Sequence, residues 1–401
     1  MAGKALTGPL RRSVAGLPRN VVLLGVTSFF ADISTEMVYP IVPIFLTSTL
    51  GAPVAAVGLI EGVAESTASL MKLVSGWLSY RVGRRLPLVI GGYGLAAVGK
   101  VILAAAHAWP VVLFARFVDR FGKGVRGSPR DALIADSTPA EVRGRAFGLH
   151  RSMDTAGAVV GPLLGLALVA LLEDRLRLVF LIAAVPGFLT VAPLLLVREP
   201  RAAAHAPAPV PITLRGLDRR LLLFFGAAMI FAIGNSSDIF LILRAKDLGL
   251  STTAAVLAYV VYNFVYMSGA FPAGIISDHV GRRRVYVLGL IVFAAVYAGF
   301  ALADDAAYVW PLFAVYGLYI AMTEGVSRAF ITDLAPVERR ASLLGLYGML
   351  TGLAALFASV IAGVLWDEVG AWAPFALGAS AAACAAVLLV GLSVRPAVRA
   401  A

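Results

Sequence analysis

Cysteine is almost missing from this sequence: Cys384 stands alone, so neither an intramolecular disulfide nor a cysteine-ligated metal centre can form. Histidine is nearly as scarce, with only four, far apart at 107, 150, 205 and 279. There is no P-loop, no His-Glu-x-x-His and no Gly-x-Ser-x-Gly, which argues against ATP hydrolysis, zinc hydrolysis and serine-nucleophile chemistry. Neither an enzyme nor a bound cofactor or metal is therefore expected. Charge is short as well: 14% of the 401 residues are charged, against about a quarter in an ordinary soluble domain. Long polar segments are lacking too, and with them the folded soluble appendage that a receptor would carry.

What fills the chain instead is apolar. Hydrophobic residues make up 60% of it, and the mean hydropathy is +0.88. A soluble domain runs out of interior before it hides that many apolar side chains, so lipid must be the solvent for many of them. A hydrocarbon core about 30 Å thick takes roughly 20 apolar residues per helix. Such stretches predict twelve spans, at 20–46, 54–79, 86–107, 109–133, 143–171, 178–197, 219–245, 252–277, 284–304, 308–333, 341–366 and 371–394. Spans 4 and 10 are weak by hydropathy, because each carries several charges at one end. The expected fold class is an all-α membrane protein of twelve transmembrane helices.

The net charge of +11 would suggest nucleic acid in a soluble chain. Here the basic residues cluster in short loops, so no nucleic-acid partner is expected. The N-terminal tail holds Lys4, Arg11, Arg12 and Arg19, the 2–3 loop Arg81, Arg84 and Arg85, and the 8–9 loop Arg282, Arg283 and Arg284. The 1–2 and 11–12 loops have none, and the 9–10 loop offers Asp304 and Asp305; Arg175, Arg177, Arg244 and Lys246 are mild exceptions. By the positive-inside bias both termini are cytoplasmic and the chain is a multi-pass inner-membrane protein. All five tryptophans (77, 109, 310, 366, 372) fall at span ends, where an amphipathic ring prefers to sit.

From Glu199 to Arg215 prolines recur at 200, 207, 209 and 211, a density that no helix survives. The expected organisation is a six-helix bundle over 1–198, a cytoplasmic linker over 199–218 and a second six-helix bundle over 219–401. The halves repeat: Gly76-Trp-Leu-Ser-Tyr-Arg-Val-Gly-Arg-Arg matches Gly274-Ile-Ile-Ser-Asp-His-Val-Gly-Arg-Arg at an offset of 198. A second match, with one single-residue slip, pairs Arg130, Asp136, Pro139, Glu141, Arg143 and Gly148 with Arg328, Asp333, Pro336, Glu338, Arg340 and Gly345. Parallel repeats with a site between them are a transporter plan.

On these motifs the sequence resembles the major facilitator superfamily over nearly its whole length. The family's 2–3 loop signature, Gly-x-Leu-x-Asp-Arg-x-Gly-Arg-Arg, is matched by Gly76, Leu78, Arg81, Gly83, Arg84 and Arg85, with Tyr80 where the acid is expected. The second copy keeps Gly274, Asp278, Gly281, Arg282 and Arg283. Span 5 carries Gly148, Gly157, Gly161, Pro162 and Gly165, similar to the motif of the family's proton-driven exporters, with Leu166 in place of the final glycine. Arg116 sits in span 4 as the family's arginine motif requires, followed less typically by Asp119 and Arg120. The resemblance implies proton-coupled efflux of a small solute by a monomer, powered by the proton gradient.

Charges inside spans are expensive and persist when paired, hydrated or functional. Spans 1 and 2 carry Asp32, Glu36, Glu61, Glu65 and Lys72, span 3 Lys100, span 5 His150, Arg151 and Asp154, span 7 Asp238 and span 10 Glu324. In the family's plan spans 1, 4, 7 and 10 line the cavity, which places Asp32, Glu36, Arg116, Asp119 and Asp238 on or near the path; Asp119 with Arg120 reads equally as internal salt-bridge glue. Burial raises a carboxyl's pKa and a neighbouring arginine lowers it, so an acid–arginine set is suited to proton coupling. Asp32 is the expected proton site, with Glu36 and Asp154 in reserve and Arg116 as its tuning partner. Lys100 is expected to be structurally paired, Glu61 and Glu65 hydrated, and Arg126 and Glu324 a cross-half gate. On span 8, Tyr259, Tyr262, Asn263 and Tyr266 share one face; they are candidates to line the substrate cavity, or simply to pack. The competing reading is proton-coupled uptake of a polar anion, favoured by the basic residues of span 4; a non-transporting membrane receptor is the weaker one.

Overall fold

The computed structural model describes residues 17–139, 143–173, 175–199, 217–336 and 339–391; most of the expected 199–218 linker lies outside them. Twelve spanning helices match the twelve predicted stretches closely. They are α1 (Arg19–Glu36, resumed at Val42–Ile44 and closed by a wide π-type turn, Phe45–Thr49), α2 (Val54–Val82), α3 (Leu86–Ala104) and α4 (Trp109–Asp136). Next come α5 (Arg143–Leu171), α6 (Leu176–Leu189, continued by Val191–Leu194), α7 (Arg219–Gly234, resumed at Ile239–Asp247) and α8 (Thr252–Val280). The last four are α9 (Arg282–Leu302), α10 (Val309–Leu334), α11 (Arg340–Glu368) and α12 (Ala373–Val390). No strand occurs among the described residues.

Ten described stretches are long and apolar enough to cross a bilayer. The stretch containing α10, Ala306–Leu334, is one of them, so the expected weakness of span 10 does not hold; its charges lie near one end and leave an apolar window. The two missing are α1, whose 18 residues carry Arg19, Asp32 and Glu36, and α4, whose charges run through its length.

Local sequence sets the helix ends. Proline stands in the first turn of α3, α4 and α12, where its missing N–H costs nothing. Ser251 caps α8 by accepting from Ala254 N–H, and Asp218 caps α7 by accepting from Arg220 N–H. Gly83 and Gly281, at φ 67° and 104°, turn the chain from α2 to α3 and from α8 to α9, conformations that a side chain would strain. These turns carry the loop signature and define a basic face of the bundle.

An ion pair braces that face within each half. Arg85 pairs with Asp136 at the end of α4, and Arg282 pairs with Asp278 and, at 3.3 Å, with Asp333 at the end of α10. The first-half clamp is therefore made without an acid at position 80. With side chains 18% and 34% exposed, the Arg85–Asp136 pair contributes about 1 kcal/mol or less. Asp136→Asn is expected to leave the melting temperature in detergent almost unchanged.

The halves meet along α2–α11 and α5–α8. Close approach needs glycine: a Cβ on Gly62 would lie 2.9 Å from Leu356 Cα, and one on Gly363 2.7 Å from Ala55 Cα. At the face opposite the basic loops, the Asp367 carboxylate accepts the N–H groups of Val54 and Ala55 at 3.1 and 2.7 Å, tying α11 to the start of α2. There too Tyr39 Oη lies 3.4 Å from Ser237 Oγ and its ring 5.8 Å from that of Tyr259. The halves are sealed on that side and part towards the basic face.

Candidate functional site between the two halves

α1 and α7 both break midway, at Met37–Ile41 and Asn235–Asp238, and the breaks are related by the same 198-residue offset as the loop motif. Irregular backbone at this depth is tolerated where protein or a cavity surrounds it. Helix α5 lies along α1, and its glycines sit directly against the acids of α1. A Cβ on Gly157 would lie 2.9 Å from Asp32 Cβ; on Gly161, 2.7 Å from Glu36 Cβ; on Gly165, 3.1 Å from Met37 Cα. Pro162 stands within the same stretch, and Gly148 lies between two and three turns from Gly157 towards the basic face. The glycine–proline motif and the expected proton sites are one piece of structure, which spacing alone did not reveal.

Asp32 and Asp154 stand together on the wall of one small pocket. Asp154 accepts from Ser28 Oγ at 2.7 Å and Arg151 Nη1 at 3.2 Å. Arg151 reaches across to Glu324 of the second half at 4.0 Å. Asp32, Asp154, Arg151, Asn263 and Tyr266 border a 130 Å³ pocket between the halves.

Arg116 is not beside Asp32. Its Nε and Nη2 donate to Glu61 Oε1 at 3.0 and 2.6 Å, so Glu61 is a fully buried ion-pair partner rather than a hydrated acid. Asp119 is held by Lys100 at 2.9 Å and by Arg116 and Arg120 at 3.8 and 3.9 Å, and Arg120 also reaches Glu65 at 3.5 Å. Asp119 thus sits inside a buried network of α2, α3 and α4 instead of on the path. Arg126 stacks over Tyr93 at 4.0 Å; the basic partner facing Glu324 across the halves is Arg151.

The tyrosines of α8 form a ladder of donors to carboxylates on three other helices. Tyr259 donates to Glu36 at 2.9 Å, Tyr262 to Asp238 at 2.8 Å and Tyr266 to Glu324 at 2.5 Å. Tyr259 and Tyr262 are buried, and their hydroxyls are spent on acids. Tyr266 and Asn263 do face cavities.

Two larger cavities lie between and beside the halves. One of about 640 Å³, towards the basic face, is walled by α4, α5, α8 and α10 and includes His150, Arg151, Asp154 and Tyr266. The other, about 460 Å³, lies at the α7 break and includes Asn235 and Asp238. They share Glu324 and Arg328. Sequence reasoning missed the second cavity's walls, chiefly Tyr286, Tyr316, Tyr319 and Tyr347. A signal was present: Tyr316, Tyr319, Thr323 and Ser327 follow three- and four-residue steps on α10.

Comparison with known proteins places this architecture. The Major Facilitator Superfamily model matches residues 24–243 and 221–401. The chain is 36% identical over 356 residues to "Uncharacterized MFS-type transporter MJ1317" of Methanocaldococcus jannaschii, covering 87% of this chain and 89% of that protein. It is 25% identical over 380 residues to "Multidrug resistance protein MdtH" of Aeromonas salmonicida, covering 92% and 94%. Among solved structures it is similar in fold to a POT family transporter (TM-score 0.80, 12% identity, covering 95% and 97%). A bacterial homolog to the human lysosomal transporter Spinster, inward-facing and occupied, also shares the fold (TM-score 0.72, 17% identity, covering 92% and 94%). The chain belongs to the Major Facilitator Superfamily and is a secondary transporter, not an enzyme.

Proposed function

We propose that the protein exports a small organic or amphipathic solute across the inner membrane in exchange for protons. The basic face lies in the cytoplasm by the positive-inside bias, so the cavity between the halves is open inward. The observation that carries this reading is the seating of the α5 glycines against α1 beneath Asp32 and Glu36, with Asp32 and Asp154 side by side on the cavity wall. Two carboxyls on one wall are suited to hold a proton between them, because neighbouring like charges oppose joint ionisation. Arg151, within reach of both Asp154 and Glu324, is placed to replace that proton's charge as the cavity fills. The multidrug-resistance relative supports export, as does the glycine–proline motif.

Opening to the far side must separate Tyr259 from Glu36 and Tyr39 from Ser237, since these contacts span the halves. Glu36 would then face the periplasm without its donor, within reach of protons from that side. Asp32 and Glu36 thus serve opposite ends of one cycle on the same helix.

The test is purified protein in liposomes loaded with a pH-sensitive dye, under an imposed pH gradient, with a panel of drugs, organic acids and amines. Solute and proton moving in opposite directions, with proton movement reduced at least tenfold in Asp32→Asn, is the expected result. Flux in the same direction establishes uptake by symport instead, the reading that the basic residues of α4 favoured. Solute movement with no proton response in either protein removes Asp32 as the coupling site.

A further inference from the structure

We propose that the 460 Å³ cavity at the α7 break is a binding subsite for an organic cation: an amine- or onium-bearing molecule with an apolar or aromatic body. The inference rests on the reading of this space as part of the transport path and adds the chemical class of what occupies it.

Four features converge there. First, aromatic rings enter from four helices: Phe231 of α7, Tyr286 of α9, Tyr316 and Tyr319 of α10, and Tyr347 of α11. Phe231 and Tyr319 meet edge to face at 5.9 Å, and the rings of Tyr316 and Tyr319 lie 5.2 Å apart. Ring faces carry negative potential and attract a desolvated cation. Second, the first segment of α7 ends at Gly234 beside this cavity. The last carbonyls of a helix lack intrahelical partners and form its negative pole, and half-helix ends of this kind hold cations in transporters.

Third, Asn235 Oδ1 is buried in the break with no hydrogen-bond partner, an acceptor available to an N–H donor. Fourth, the ionic groups are mostly acidic: Asp238, Glu65 and Glu324 border the cavity, against the single guanidinium of Arg328. Arg328 is already paired with Glu324 at 3.3 Å. Asp238 accepts from Tyr262 and Tyr316 at 2.8 and 2.6 Å, which fixes the carboxylate in place while leaving lone pairs for a further donor.

An anion placed here would meet three carboxylates, a helix C-terminus and ring faces, against one guanidinium, Arg328, that Glu324 already holds. The larger neighbouring cavity has no such bias: Arg130, Arg151 and Arg282 stand there among Asp131, Asp154 and Asp278. Selection by charge therefore resides at the α7 break, and the mixed cavity is the vestibule through which the cytoplasm reaches it.

The experiment uses two probes of one shape and opposite charge, tetraphenylphosphonium and tetraphenylborate. Each is titrated calorimetrically into the purified full chain in detergent without any gradient, with empty micelles as the blank. Saturable phosphonium binding at least tenfold tighter than borate binding is expected, weakened about tenfold by Asp238→Asn and several-fold by Tyr319→Leu. The second variant removes a ring face without touching the hydrogen bonds of Asp238, so it keeps the test valid if Asp238→Asn fails to fold. Equal binding of the two ions, preference for the borate, or phosphonium binding indifferent to Tyr319→Leu in a folded protein overturns the assignment. Because no proton gradient is applied, a failure here is separate from a failure of antiport, which the liposome assay reads alone.

Discussion

Arg116→Met is expected to lower stability by about 3–5 kcal/mol, the cost of stranding a buried charge whose partner has been removed. The reason lies in Glu61, which is 0% exposed and receives two donors from Arg116 on a single oxygen. Its second oxygen, Oε2, has no partner. Without the guanidinium the carboxylate would face the apolar packing of α2 and α4 with nothing to compensate it. Asp119 would lose one of its three cationic neighbours as well. The double variant Arg116→Met with Glu61→Leu removes both charges and keeps similar volume, and it should recover most of the loss. Survival of the monodisperse peak after heating in detergent measures both. Equal survival of the single variant and the parent would mean that the pair does not hold the helices. The same result would argue that solvent reaches Glu61, as a hydrated acid would require.

The second large effect concerns α5. Gly161→Leu is expected to reduce transport at least tenfold while leaving a folded protein in the membrane. A Cβ at this position would lie 2.7 Å from Glu36 Cβ, 2.9 Å from the Ile33 carbonyl and 3.1 Å from Met37 N. None of those is the yielding tip of a side chain, so α1 and α5 must move apart, at about 1–3 kcal/mol for an overpacked contact. That displacement acts where Asp32 stands beside Asp154 and Glu36 meets Tyr259. Gly348→Ala is the control: no atom stands within 4 Å of its Cβ position, and alanine favours the helix. Initial rates in liposomes, normalised to reconstituted protein, distinguish the two. If Gly161→Leu transports at the parent's rate, the α5 glycines are packing residues without a bearing on coupling.

Much of this site was legible in one dimension. The spans follow from apolar run length, and the repeat from the paired loop signatures around Gly83 and Gly281. That Asp32, Glu36, Asp154 and Asp238 each need a partner, water or a role follows from the cost of charge in a bilayer. What failed were pairings. Arg116 looked like a partner for Asp32 because both sit in cavity-lining helices, yet it faces α2 and takes Glu61. Arg126 looked like a gate because it is repeat-equivalent to Glu324, yet its neighbour is the ring of Tyr93. Helical periodicity gives a face but not what the face meets. A few degrees of rotation about the axis moves a long guanidinium from one neighbour to another.

The tyrosines of α8 make the same point. Their common face was evident from steps of three and four residues, and the face does look inward. Whether it meets solute or carboxylates depends on Glu36, Asp238 and Glu324, which come from three helices between 24 and 223 residues away. The breaks in α1 and α7 are of that kind too. Pro40 stands in the α1 break, but the α7 break at Asn235–Asp238 contains no proline. It exists because the surrounding protein satisfies the freed backbone: Ser359 Oγ accepts from Ser237 N–H at 3.2 Å.

By itself the sequence determined the solvent, the number of spans, the two-fold repeat and the set of charges that must be accounted for, since each depends on local composition and on the thickness of a bilayer. Only the tertiary structure decided which charge neutralises which, where the α5 glycines come to rest, and that one half is held by ion pairs while the other encloses a tyrosine-walled cavity. Those outcomes depend on the relative rotation and separation of helices far apart in the chain, quantities that contacts over a few ångströms set and residue order alone does not carry.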